Sequence, residues 1–110
     1  MNGRLTSEQI RSWRQNGFAL VHDLIPRTLL ESAAEDARSH FPKPGSAEAS
    51  QMTNFGSDQR FVFPTVSSAC NNITLHPSLL QAVADFLDVD VYGIRLTQSD
   101  LWPKYGRAPS

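Results

Sequence analysis

Cysteine occurs once, at Cys70, which excludes an internal disulfide framework and a cysteine-rich zinc site. Charge of one sign is also missing: 10 basic residues stand against 11 acidic ones, a net charge of −1. The electrostatic footprint of a nucleic-acid binder or a polybasic membrane binder is therefore absent. No stretch approaches the roughly 18 consecutive apolar residues of a membrane-spanning helix. The opening Met1-Asn2-Gly3-Arg4 leads into a polar helix start rather than an apolar signal core. There is no phosphate-binding glycine loop, no G-x-S-x-G elbow and no G-x-G-x-x-G fingerprint. What is present is ordinary, with 40% hydrophobic and 19% charged residues in 110, so a packed core is expected rather than disorder. These features predict a soluble, cytoplasmic chain of one domain at most.

Local patterns place the elements. Thr6 followed three positions later by Gln9 is a capping box, with Leu5 and Ile10 at the positions of a hydrophobic staple. Gly17 supplies the left-handed position that ends this first helix. Phe18-Ala19-Leu20-Val21, bounded by Gly17 and His22-Asp23, is too short for a helix and reads as a strand. Pro26 suits the first turn of a second helix, whose apolar face is Leu29, Leu30, Ala33, Ala34, Ala37 and Phe41. Periodicity fails over 42–60, which reads as a long loop, either lid-like or without order. Phe61-Val62-Phe63 is a short strand stopped by Pro64, and a polar stretch with Cys70 follows. His76-Pro77 then opens a third helix with Leu79, Leu80, Val83, Phe86 and Leu87 on one face. Val91 begins an extended run through about Trp102. In such a run Tyr92, Ile94, Leu96, Gln98, Asp100 and Trp102 share a face. The face turns from apolar to polar along its length, as a strand would when passing from a core into a pocket wall or out to solvent.

A search for chemistry finds no complete active site. The histidines His22, His40 and His76 carry no H-x-D or H-x-E spacing, so no local metal chelate is expected. They read as a turn residue, a charge at a helix C-terminus and a helix N-cap. Cys70 has no identified base partner and reads as a partly buried, inert thiol. Glu35-Asp36 and the group Asp85, Asp88 and Asp90 read as solvated surface. No catalytic residue and no metal ligand is assigned.

Taken in order, the motifs resemble the N-terminal part of the phytanoyl-CoA dioxygenase family of non-haem Fe(II)/2-oxoglutarate-dependent oxygenases. The resemblance lies in Leu5-Thr6-x-Glu8-Gln9-Ile10, Asn16-Gly17-Phe18-Ala19-Leu20-Val21 and Leu24-Ile25-Pro26. It continues in Leu75-His76-Pro77-x-Leu79-Leu80 and in the block from Arg95 to Gly106, Arg-Leu-Thr-Gln-Ser-Asp-Leu-Trp-Pro-Lys-Tyr-Gly. That block is similar to the strand just upstream of the family's H-x-D iron motif. The resemblance implies an α+β chain carrying the N-terminal helices and first strands of a double-stranded β-helix (jelly-roll, cupin-like) oxygenase fold, incomplete within 1–110. It implies Fe(II) and 2-oxoglutarate as cofactors of the parent enzyme, a small-molecule substrate, and hydroxylation coupled to decarboxylation of 2-oxoglutarate. The H-x-D, the distal His and the oxoglutarate-binding Arg are expected beyond Ser110, so no cofactor is expected on this chain alone and it is expected to be inactive by itself. Mapped by motif, Gln98, Trp102 and Lys104 are the cofactor-binding candidates, and Gln98 and Asp100 the substrate-binding ones. The alternative expectation is a non-catalytic small α+β module that binds a partner or self-associates through uncovered strand edges.

Overall fold

The computed structural model describes residues 4–50, 61–103 and 105. In chain order these form α1 (Ser7–Asn16), α2 (Arg27–His40), a one-turn α3 (Ala47–Ser50) and β1 (Phe61–Val62). Then come α4 (Ser68–Thr74), α5 (Pro77–Leu87), a 3-10 turn (Val91–Gly93) and β2 (Asp100–Leu101). The architecture is α+β, with helices around a small antiparallel sheet of two strands.

The ends of α1 and α5 are set by side-chain and backbone caps. The Gln9 backbone N–H donates to Thr6 Oγ1 at 3.1 Å, and the Thr6 N–H donates to Gln9 Oε1 at 2.9 Å. This reciprocal box satisfies two helix-end donors, and a cap of this kind contributes about 1 kcal/mol. Gly17 ends α1 at φ 83°, and its N–H donates to the Trp13 carbonyl at 2.9 Å. Trp13 lies against Phe86 with ring centroids 5.1 Å apart, which docks α1 on α5. Pro26 is the N-cap of α2, one position before the expected first turn. His76 caps α5 through its own ring, Nδ1 accepting the Ser78 N–H at 3.1 Å, and Pro77 occupies the first turn. Asp88 closes α5 at φ 57°, a left-handed position that Asp tolerates better than most side chains.

α2 and α4 approach each other through small residues. Ala33 on α2 and Ala69 on α4 are both buried. The Ser67 hydroxyl donates to Asp36 Oδ2 at 2.6 Å and accepts the Cys70 N–H at 3.0 Å, so one side chain caps α4 and ties it to α2. β1 pairs with β2 in the register Phe61↔Leu101 and Val62↔Asp100. The Phe63 N–H extends the ladder by donating to the Ser99 carbonyl at 2.8 Å, and Pro64, which has no N–H, stops it. The buried hydrophobic set is Ala33, Ala49, Phe61, Ala69, Ala82 and Ala84, and among the described residues no large side chain is fully buried. No helix among them is long and apolar enough to cross a membrane.

Four expectations need correction. Residues 18–21 form no ladder among the described residues: Phe18 and Leu20 are 67% and 73% exposed, and no described strand lies beside them. The run from Val91 starts as a 3-10 turn because the Asp90 carboxylate accepts the Tyr92 N–H at 2.9 Å, a local bond that competes with extended backbone. Tyr92, expected on the strand face, is 95% exposed. The 42–60 loop contains α3, which Ser46 caps by accepting the Ala49 N–H at 3.1 Å; its remainder, 51–60, lies outside the described residues. Asp85 is not solvated surface, because its side chain is 6% exposed beneath Arg4.

Candidate functional site

Two elements bring the candidate residues to one region: the segment ending in β2, and the α2–α4 pair against which β1 and β2 lean. The hydroxyls of Thr74 on α4 and Ser99, just before β2, are 3.0 Å apart. That contact holds the strand approach against the helix. The turn that brings β1 to α4 is fixed by Asn71. Its Oδ1 accepts the Thr65 N–H at 2.8 Å and the Thr65 hydroxyl at 2.9 Å, and its Nδ2 donates to the Thr65 carbonyl at 2.9 Å.

On this frame Gln98 is exposed and Asp100 half-buried. Gln98 Nε2 donates to Asp100 Oδ2 at 3.1 Å, so the two side chains share a face, as a spacing of two on extended backbone requires. The pair has a definite chemical preference. A ligand carboxylate here would meet the Asp100 charge, whereas a ligand hydroxyl or amine would find an acceptor and an amide together.

Trp102 is also half-buried but lines a different space, and Lys104 lies outside the described residues. Three clefts meet along the segment. Asp100 borders a cavity of about 360 Å³ between α2, α4 and the ladder, whose walls include Ala33, Ala37, Phe61 and Ile73. Gln98 borders a groove of about 800 Å³ running along α5 past Leu80, Val83 and Leu96. Trp102 borders a cleft of about 630 Å³ beside the end of α2. The candidate residues are thus brought to neighbouring walls and do not converge on one point.

The 360 Å³ cavity contains polar groups that the sequence reading passed over. These are Thr65, Thr74 and Ser99, which line it together with Cys70, the thiol already read as partly buried. Cys70 is half-buried and free, with Sγ 3.6 Å from the Ala33 carbonyl oxygen. The signal for this wall was Ser67, a capping residue at the head of an unrecognised helix.

The histidines serve local structure. His22 sits in an exposed turn. The His40 ring packs on Phe41 and Phe61 at centroid distances of 4.8 Å and 4.5 Å, and His76 is the cap of α5. Among the described residues no three His, Cys, Asp or Glu side chains are grouped to hold a metal ion.

A separate electrostatic feature lies where the N-terminal arm meets α5. Arg4 Nε donates to Asp85 Oδ2 at 3.0 Å, and the other guanidinium branch donates to Oδ1. Gln81 Nε2 adds a bond to Asp85 Oδ1 at 3.0 Å. The hydrogen bond from Arg4 is the main cause that holds the Asp85 carboxyl down at about 2. Burial opposes it, while Gln81, the Arg4 charge and the Leu5 backbone assist. The same bond raises the Arg4 guanidinium.

No family model, no curated protein and no solved structure matches this chain.

Proposed function

We propose that the chain is the N-terminal part of a non-haem Fe(II)/2-oxoglutarate-dependent dioxygenase similar to the phytanoyl-CoA dioxygenase family, its sheet being the start of a double-stranded β-helix. The observation that carries the reading is the ordered set of motifs, from Leu5-Thr6-x-Glu8-Gln9-Ile10 to the block beginning at Arg95. The arrangement of elements supports it. A capped helix and a second helix headed by Pro26 precede the short strand β2, whose Asp100 is hydrogen-bonded to Gln98 two residues before it. In this reading Gln98 and Asp100 orient a substrate through its hydroxyl or amine groups, and Trp102 walls an adjoining cleft.

The described residues do not offer a donor set that fits iron. The reading places the H-x-D, the distal His and the oxoglutarate-binding Arg beyond Ser110. The test is the product of the reading frame extended past Ser110. An H-x-D within a few tens of residues and Fe(II)-dependent succinate formation from 2-oxoglutarate are expected. A folded extended product that forms no succinate overturns the reading, and succinate formation by the 110-residue chain alone overturns the expectation that it is inactive by itself. In the extended enzyme, Gln98→Ala is expected to raise KM for the substrate about tenfold, the loss of one or two ligand hydrogen bonds.

A second reading, a self-associating module without catalysis, is favoured by one specific observation. Phe18 and Leu20 stand largely exposed in a segment that pairs with no strand among the described residues, an uncovered apolar surface that invites association.

A further inference from the structure

We propose that the cleft between the C-terminal end of α2 and the segment following β2 binds a flat aromatic monoanion, in class an aromatic carboxylate. Trp102 walls this cleft in the oxygenase reading too, but the proposal rests on the cleft's own lining, of which neither Gln98 nor Asp100 is part.

The volume, about 630 Å³, is that of a small-molecule site. Phe41, Trp102 and Tyr105 supply the aromatic wall, and Pro42 is part of the same lining. These are flat surfaces with few rotatable bonds, so little conformational freedom is lost when a planar ring stacks between them. The wall is held in place from within. The Tyr105 hydroxyl donates to the Pro42 carbonyl oxygen at 2.6 Å, linking positions 63 residues apart. The phenol is thereby occupied, and its ring is left to face a ligand.

Charge selects the ligand's other half. The charged residues in the lining are Arg38 and Lys43, both cations, and no carboxylate lines the cleft among the described residues. Among the described residues Arg38 is paired only with Glu35, at 3.3 Å, both side chains being at least 70% exposed, and an exposed pair of this kind is readily displaced. Lys43 makes no ion pair among the described residues. The same rim also holds the last carbonyls of α2, equivalent to roughly half a negative charge. Two cations offset by that half charge suit one carboxylate better than a doubly charged phosphate monoester.

The test is titration of the full chain with 1-naphthoate, followed by calorimetry and by Trp102 fluorescence in a Trp13→Phe background. Saturable binding with a Kd of about 1 mM or tighter is expected. About tenfold weaker binding is expected for neutral 1-naphthylmethanol, and for naphthoate with the double variant Arg38→Gln/Lys43→Gln. Both substituted side chains are exposed, and circular dichroism checks that the double variant keeps its fold. Absence of saturable binding up to about 5 mM overturns the proposal. Equal affinity for the acid and the alcohol, or unchanged affinity in the folded double variant, overturns it as well.

Discussion

The Asp85 carboxyl lies under the Arg4 guanidinium with its side chain 6% exposed, and its protonation reports directly on stability. Its folded pKa, about 2, is below the ordinary 3.8. Between those values the unfolded chain binds the proton and the folded chain does not, so stability rises with pH in this window. The contribution is complete above about pH 4 and is lost as pH falls through about 2. Acid titration of the unfolding midpoint is expected to show a shallower fall over this window in Asp85→Asn than in the parent. Parallel curves would show that Arg4 does not hold this carboxyl. Ser67 is the second residue of consequence. It is buried, donates to Asp36 and caps α4, so Ser67→Ala is expected to cost about 2 kcal/mol in denaturant unfolding. Gly17 has open space where a Cβ would stand but a φ of 83°, so Gly17→Ala is expected to cost about 1 kcal/mol through backbone strain alone.

At the scale of elements, what the sequence made legible was what side chains announce locally. α1 and α5 could be read because Thr6, Gln9, Gly17, His76 and Pro77 each satisfy or terminate a helix end by their own chemistry. α4 could not. Ser68-Ala69-Cys70-Asn71-Asn72-Ile73-Thr74 has poor helix formers and no apolar period, and it is helical because Ser67 caps it and α2 packs on it through alanines. The strand at 18–21 and the long strand from Val91 were over-read for complementary reasons. A short apolar run such as 18–21 marks strand-competent sequence but not the neighbour that a ladder requires. A single Asp90 carboxylate turned the first residues of the second run into a 3-10 turn. For the candidate site, the pairing of Gln98 with Asp100 was legible from alternation, but the assignment of Trp102 to a separate cleft depends on where α2 ends. Asn71 is the hinge of this arrangement, with three hydrogen bonds to Thr65. Asn71→Ala is expected to cost about 2 kcal/mol, whereas Asn72→Ala, at an exposed neighbour, is expected to cost under about 0.5 kcal/mol by the same unfolding measurement.

For the whole molecule, burial falls on alanines and Phe61, while Phe18, Leu20, Val66 and Tyr92 stand largely exposed. Each alanine contributes little apolar area, so the large side chains at the surface are the reserve from which further burial must come. Light scattering is expected to show concentration-dependent association that Phe18→Ser/Leu20→Ser diminishes; a parent chain monomeric at all concentrations would count against the self-association reading. The two-residue ladder carries a different consequence, for the order in which the molecule comes apart. Phe61 and Leu101 are partners across about 40 positions, and closing a loop of that size costs about 3 kcal/mol beyond the fixed initiation term. The segment it encloses contains α4 and α5, whose hydrogen bonds are local and do not depend on closing that loop. The amide of Phe63, bonded to the Ser99 carbonyl, should therefore exchange with solvent deuterium well before those of α5. That order of exchange is the one expected of a clasp that opens at lower free energy than the helices it gathers. Because β2 carries Asp100, each opening of the clasp also withdraws a wall of the 360 Å³ cavity, which ties the lifetime of that site to sub-global unfolding.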